Sequence, residues 1–208
     1  VFDSSMQKSY KTDIGKLAYV GKQGVLCLLS ESLYADKTGF TSPKHRSYKY
    51  LKETINKYNN RILVNIFQGQ IYRMQELLNA ITEANRKIVI LGKSLEQNLI
   101  KAIDNGYITF DKSRIGNIHH LEKNSIIIIS DEREKPFSNI KRIVKGYDKF
   151  VTLNEDDTII FASPVYDGME KSATMLFDEI AKKGCNLITM PSKQFYSLHA
   201  SSEDLMLM

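Results

Sequence analysis

The sequence has only two cysteines, Cys27 and Cys185, and both fall in apolar, strand-like runs. That excludes a disulfide framework and a zinc knuckle, and it predicts two small buried hydrophobes. Histidine is scarce too: His45, His119, His120 and His199. No two of them share the His-x-His or His-x3-His spacing that aims two imidazoles from one element, and the adjacent His119 and His120 point different ways. A metal site built from these residues alone is not expected. No stretch approaches the ~20 apolar residues of a membrane-spanning helix, so no membrane partner is expected. The glycine fingerprints of nucleotide sites, Gly-x-Gly-x-x-Gly or a complete phosphate loop, follow none of the strand-like runs. The opening residues Val1-Phe2-Asp3-Ser4 carry neither an initiator Met nor the basic-then-apolar pattern of a secretory signal.

What is present is an ordinary globular composition: 208 residues, 42% hydrophobic and 25% charged. That suits one large domain, or one domain with pieces of another. A net charge of +5 and a pI near 9.0 lean mildly towards polyanionic partners. Simple solvation of the surface accounts for the same charge equally well.

From residue 61 the chain alternates. Apolar runs of strand length at 61–67, 87–91, 125–130, 158–162 and 185–190 are each too short for a helix and lack a polar face. Between them lie helical spacings such as Ile71, Met74, Leu77, Leu78 and Ile81, or Leu95, Leu99, Ile100 and Ile103, closed by glycine turns. Strands apolar on both faces and separated by helices predict an α/β fold: a mostly parallel sheet with helices on both faces. Ligands in such sheets meet the carboxyl ends of the strands, which directs attention to the loops after Phe67, Leu91, Ser130 and Ala162. Gly92-Lys93-Ser94 opens one of the helices, and a plain strand-to-helix turn is its favoured reading.

Both ends stand apart from this rhythm. Gly24–Ser30 reads as a separate strand, and Ser42–Asn59 as a helix. At the other end Ser201 and Asp204 have the spacing of a helix capping box, followed by Leu205 and Leu207. A helix started so near the last residue reads as cut short, so the chain is expected to be an internal piece of a longer protein. His199 lies just before that helix among small hydroxyl residues. It is either an idle loop histidine or half of a pair, and the best partner is Glu31, at the end of an apolar run. A carboxylate beside an imidazole can hold its tautomer for acid–base work.

Those end segments carry a resemblance. Gly24-Val-Leu-Cys-Leu-Leu-Ser-Glu-Ser32, Gly39-Phe40-Thr41, Ile62-Leu-Val-Asn-Ile-Phe67, Ile71-Tyr-Arg-Met-Gln75, Gly92-Lys-Ser94, Ala162-Ser-Pro164 with Glu170, and His199-Ala-Ser201 with Leu205-Met-Leu-Met208 occur in one order. Together they resemble the β-CASP nucleases of the metallo-β-lactamase superfamily, and the ribonuclease J family in particular. The resemblance implies a β-CASP domain over residues 46–192. Residues 1–45 would be a partial metallo-β-lactamase segment, and 193–208 the return to that domain. It implies RNA processing and decay by a metal-dependent ribonuclease, with Glu31 and His199 as the catalytic pair and His199 giving a proton to the leaving oxygen. Ser197 and Ala200 are implied as substrate-binding residues. The family's two zinc ions take ligands outside this stretch, and Asp3 aligns beyond the metal-binding Asp. No metal ligand is therefore assigned here, and this piece alone is expected to be inactive. RNA is the implied partner, with a paralogous ribonuclease J subunit or a second copy as further partners, in the cytoplasm.

Two loops depart from the family pattern. Phe67-Gln-Gly-Gln70 stands where Phe-Ala-Ser-Asn is usual, and Asp131-Glu-Arg-Glu-Lys-Pro136 replaces a Gly-Ser-Gln-Gly-Glu-Pro loop. Carboxylates there repel RNA phosphates. The changes suit an alternative role, a weakly active or inactive paralogue that binds RNA or organises partners. An unrelated doubly wound nucleotide-binding module is the other rival, disfavoured by the missing glycine fingerprint and by the end segments.

Overall fold

The computed structural model describes residues 2, 11–131, 136–162, 165, 168–191, 195 and 199–208. The chain forms two compact units: Val1–Arg46 with Lys193–Met208, and Ser47–Ser192.

The larger unit is built on six parallel strands in the order β3-β2-β4-β1-β5-β6. They are β1 (Ile62–Phe67), β2 (Ile88–Leu91), β3 (Ile115–Gly116), β4 (Ile126–Asp131), β5 (Thr158–Phe161) and β6 (Asn186–Thr189). β1 is central, with Val64 opposite Ile128 of β4 on one side and Ile160 of β5 on the other. Five strands lie where the apolar runs predict them. β3 adds a sixth, of two residues, too short to leave any periodicity in the sequence.

Parallel strands need a covered face on each side, and the helices supply it. Leu63, Ile127, Ile129, Ile159 and Phe161 pack in one cluster with Ile140, Ile143 and Val144 of α5 (Ser138–Val144) and with Ala173, Leu176 and Ile180 of α6 (Glu170–Lys182). Alternate strand residues, among them Ile62, Val64, Ile66, Ile126 and Ile128, are equally buried and point the other way. There the buried faces of α3 (Ile71–Glu83) and α4 (Lys93–Asp104) supply Met74, Leu77, Leu78, Leu95 and Leu99. α2 (Tyr48–Lys57) packs on α3, and its first turn is held by a distant carboxylate. Glu76 accepts hydrogen bonds from the Ser47 N–H at 2.9 Å and from Ser47 Oγ at 2.6 Å.

Polar residues close the two ends of the sheet. At the amino end Arg61 makes a bidentate pair with Asp157, at 2.9 and 2.5 Å. Nearby, the Arg86 guanidinium donates to the carbonyls of Tyr58, Asn60 and Asn124. Burial pulls the Arg86 pKa down. At the carboxyl end the buried Arg73 donates to the Ala162 carbonyl at 3.1 Å. Gly92 sits between β2 and α4 at φ 124°, a conformation open to glycine and costly for other residues. Gly92-Lys93-Ser94 is thus a tight strand-to-helix turn.

The smaller unit holds α1 (Ile14–Lys22) and α7 (Ser202–Leu207). Asp13 caps α1 by accepting from the Lys16 N–H at 2.9 Å, a helix that the apolar spacing did not announce. The strand expected at Gly24–Ser30 is absent: Leu26 and Leu29 are fully exposed and no described strand lies beside them. An apolar run becomes a strand only when another strand takes its backbone hydrogen bonds. Cys27 is exposed with it, against expectation, whereas Cys185 is buried, its thiol pushed up by that burial. The helix expected over Ser42–Asn59 is shorter, because 42–46 form a turn through Pro43 and helical geometry begins at Tyr48. Among the described residues no helix is long and apolar enough to cross a membrane.

Candidate active site

The site is assembled in the smaller unit by backbone pairing between two segments far apart in sequence. Residues 34–41 clamp residues 199–204. Tyr34 bridges Ser201, the Ser202 N–H donates to the Lys37 carbonyl at 3.0 Å, and the Glu203 N–H donates to the Gly39 carbonyl at 3.3 Å. That same Gly39 carbonyl accepts from Ser201 Oγ at 2.6 Å. Gly39 can present it because its φ of 82° is a left-handed conformation.

Asp204 is the anchor of this clamp. Its side chain is fully buried, and Oδ2 accepts from the Thr41 N–H at 2.9 Å, the Ser201 N–H at 3.2 Å and Ser201 Oγ at 3.1 Å. Burial alone would raise its pKa, but the hydrogen bonds from Thr41 and Ser201 outweigh burial and hold the carboxyl below its ordinary value. The bond from Ser201 is the capping-box half that the 201–204 spacing announces. Thr41 then reaches back with Oγ1, which donates to the His199 carbonyl at 2.7 Å.

With its backbone held in this way, His199 turns its ring towards Glu31. Nδ1 lies 2.6 Å from Glu31 Oε2, and the Ala200 N–H donates to Glu31 Oε1 at 3.3 Å. The Tyr34 ring meets the imidazole edge to face, with centroids 5.7 Å apart. The pair is part-exposed, 38% for the His199 side chain and 46% for Glu31, so a substrate can reach it. With Nδ1 directed at the carboxylate, Nε2 is the nitrogen placed to exchange a proton. A carboxylate that orients an imidazole in this way can serve acid–base chemistry or simple charge recognition.

Of the residues singled out in the sequence, Glu31, His199 and Ala200 meet here, Ala200 through its backbone. Ser197 and Asp3 lie outside the described residues. Gly39 and Thr41 stand in the motif segment Gly39-Phe40-Thr41 without a role of their own there, and Tyr34 is a residue that sequence reasoning missed. Only the 201–204 spacing leaves a local signal, because the others act across about 160 positions. Among the described residues no three His, Cys, Asp or Glu side chains converge to hold a metal.

A parallel sheet covered by helices on both faces is an α/β fold consistent with a β-CASP domain. Comparison with known families agrees: the β-CASP domain of ribonuclease J matches residues 59–180, more than half of the chain. The chain belongs to that family. Similar proteins include the Ribonuclease J 2 proteins of Staphylococcus epidermidis and Staphylococcus aureus, each 28% identical over all of this chain. The chain spans 38% of the length of these relatives.

Proposed function

We propose that this chain contributes the substrate-protonating half of a ribonuclease J-type active site, acting on RNA phosphodiester bonds. The observation that carries the reading is the 2.6 Å approach of His199 Nδ1 to Glu31, two residues 168 positions apart. In the proposed step water adds to phosphorus and the bond to the leaving oxygen breaks. His199 Nε2 gives that oxygen its proton, and the ring regains one from solvent. Glu31 holds the ring in the orientation that points Nε2 at substrate, and Ala200 and Ser197 are the residues assigned to substrate binding by the family resemblance. Zinc, if the full-length protein uses it, takes its ligands from outside these 208 residues. RNA processing and decay in the cytoplasm is the setting that fits, with a paralogous subunit or second copy as a further partner.

The test is the kinetics of the full-length protein carrying His199→Ala. Loss of a general acid removes ~10²–10⁴ from the cleavage rate. RNA affinity should change little, since the interaction belongs to the transition state. Equal loss of affinity and rate would make His199 a binding residue. That outcome would favour the second reading, an RNA-binding or partner-organising subunit, for which the carboxylate-rich sequence Asp131-Glu-Arg-Glu134 speaks.

A further inference from the structure

A general acid has to be aimed, and one hydrogen bond does not aim His199 by itself. Glu31 Oε2 lies 2.6 Å from Nδ1 and sets where that nitrogen points relative to the carboxylate. The Glu31 side chain is 46% exposed, however, so its carboxylate can follow the imidazole as the ring turns. The terminal torsion of a histidine is broad and offers little resistance of its own. A second contact on the ring is needed to set its plane within the fold.

Tyr34 makes that contact. Its ring meets the imidazole at an interplanar angle of 68°, with centroids 5.7 Å apart, inside the range that edge-to-face aromatic pairs favour. The ring is well anchored. Two turns hold its backbone: the Ala35 N–H donates to the Ser32 carbonyl at 3.1 Å, and the Lys37 N–H donates to the Tyr34 carbonyl at 2.9 Å. The Lys37 ammonium lies over the Tyr34 ring, 5.9 Å from its centroid, a cation–π contact. Tyr34 also bridges Ser201, two residues past His199. The backbone pairing that carries the imidazole therefore carries the ring beside it, and the half-buried Tyr34 is a fixed wall where Glu31 is a mobile one.

We propose that Tyr34 is a positioning residue: its ring sets the plane of the imidazole and so keeps Nε2 aimed at the leaving oxygen. The proposal rests on the reading of His199 as the proton donor and deepens it. Tyr34 acts through His199 and gives up no proton itself.

Single-turnover cleavage of RNA by the full-length protein tests this, with Tyr34→Leu, Tyr34→Phe, His199→Ala and the double variant of Tyr34→Leu with His199→Ala. Tyr34→Leu keeps apolar bulk but loses the ring. It should cleave about two- to tenfold more slowly, the weight of one aromatic pair, with RNA affinity unchanged. Tyr34→Phe, which keeps the ring, should recover the rate. In the His199→Ala background Tyr34→Leu should cost nothing further, because a residue that acts only through the imidazole has no effect once the imidazole is gone. A merely structural role would slow that background by the same factor, and that result would overturn the proposal. Tyr34→Phe as slow as Tyr34→Leu would overturn it too, since the hydroxyl and not the ring would then be acting. Native cleavage by Tyr34→Leu beside slow cleavage by His199→Ala refutes the role of Tyr34 and spares the proton donor. Native cleavage by His199→Ala refutes the proton donor itself, and the positioning role with it.

Discussion

At the scale of single residues, Asp204 makes the Glu31–His199 geometry possible without touching either side chain. Its carboxyl is held below the ordinary value, so it binds its proton less readily in the folded chain than in the unfolded one. Its stabilisation is therefore complete above the unfolded value near pH ~3.9 and is lost as pH falls through the lower folded one. Asp204→Ala takes the acceptor from the buried Thr41 N–H, which costs about 1–3 kcal/mol, whereas the Ser201 N–H keeps Thr41 Oγ1 at 3.1 Å. Chemical denaturation should show that loss at pH 7 and a smaller one well below pH ~3.9, where the unfolded carboxyl takes up its proton ahead of the folded one. An equal loss at both pH values would mean that Asp204 acts by packing alone. Arg86 acts similarly at the amino end of the sheet, where it is tied to three carbonyls. Replacing it with Ala strands those acceptors, and a fall in Tm of several degrees is expected. These two residues also mark the limit of sequence reading. Glu31 and His199 are visible because they fall in ordered motif segments, and Asp204 because it caps a helix three residues after Ser201. Gly39 and Thr41 also stand in a motif segment, but their bonds, like those of Arg86, tie distant segments together, and no spacing encodes such a bond.

At the scale of elements, burial decides which apolar runs become strands. The runs at Ile62, Ile88, Ile126, Thr158 and Asn186 are legible because each is a strand-length stretch with neighbours to pair and helices to cover it. Gly24–Ser30 is apolar too, but no described strand lies beside it and it stays exposed. α1 is the converse, a helix without a single buried residue, held by the Asp13 cap. Periodicity could not reveal it, since periodicity reports a face turned to a core. The contrast makes a measurable pair. Leu176→Ala opens a cavity in the cluster beneath α6 and should cost about 2–5 kcal/mol. Leu26→Ala in the same 208-residue chain should change stability by no more than about 0.5 kcal/mol. Denaturant midpoints for the two variants check this, and a large loss for Leu26→Ala would mean that the segment is paired after all.

At the scale of the whole molecule, the net charge of +5 and the RNA-directed reading together require salt-sensitive binding. Affinity for single-stranded RNA should fall linearly with log salt concentration, by about 0.7 in slope for each phosphate neutralised. A flat salt dependence would remove phosphate contacts from the account. The 208-residue chain alone should show no chelator-sensitive RNase activity if the metal ligands lie outside it, and reproducible activity of that kind would place a metal site within it. The central claim, that His199 protonates the leaving oxygen, is tested most directly with an RNA whose leaving oxygen is replaced by sulfur. A thiolate departs without needing a proton. Single-turnover cleavage of the all-oxygen RNA by full-length His199→Ala should be slower than native by ~10²–10⁴, and the sulfur substrate should restore most of that rate. If the variant is equally slow on both substrates, His199 does not protonate the leaving group and the account fails.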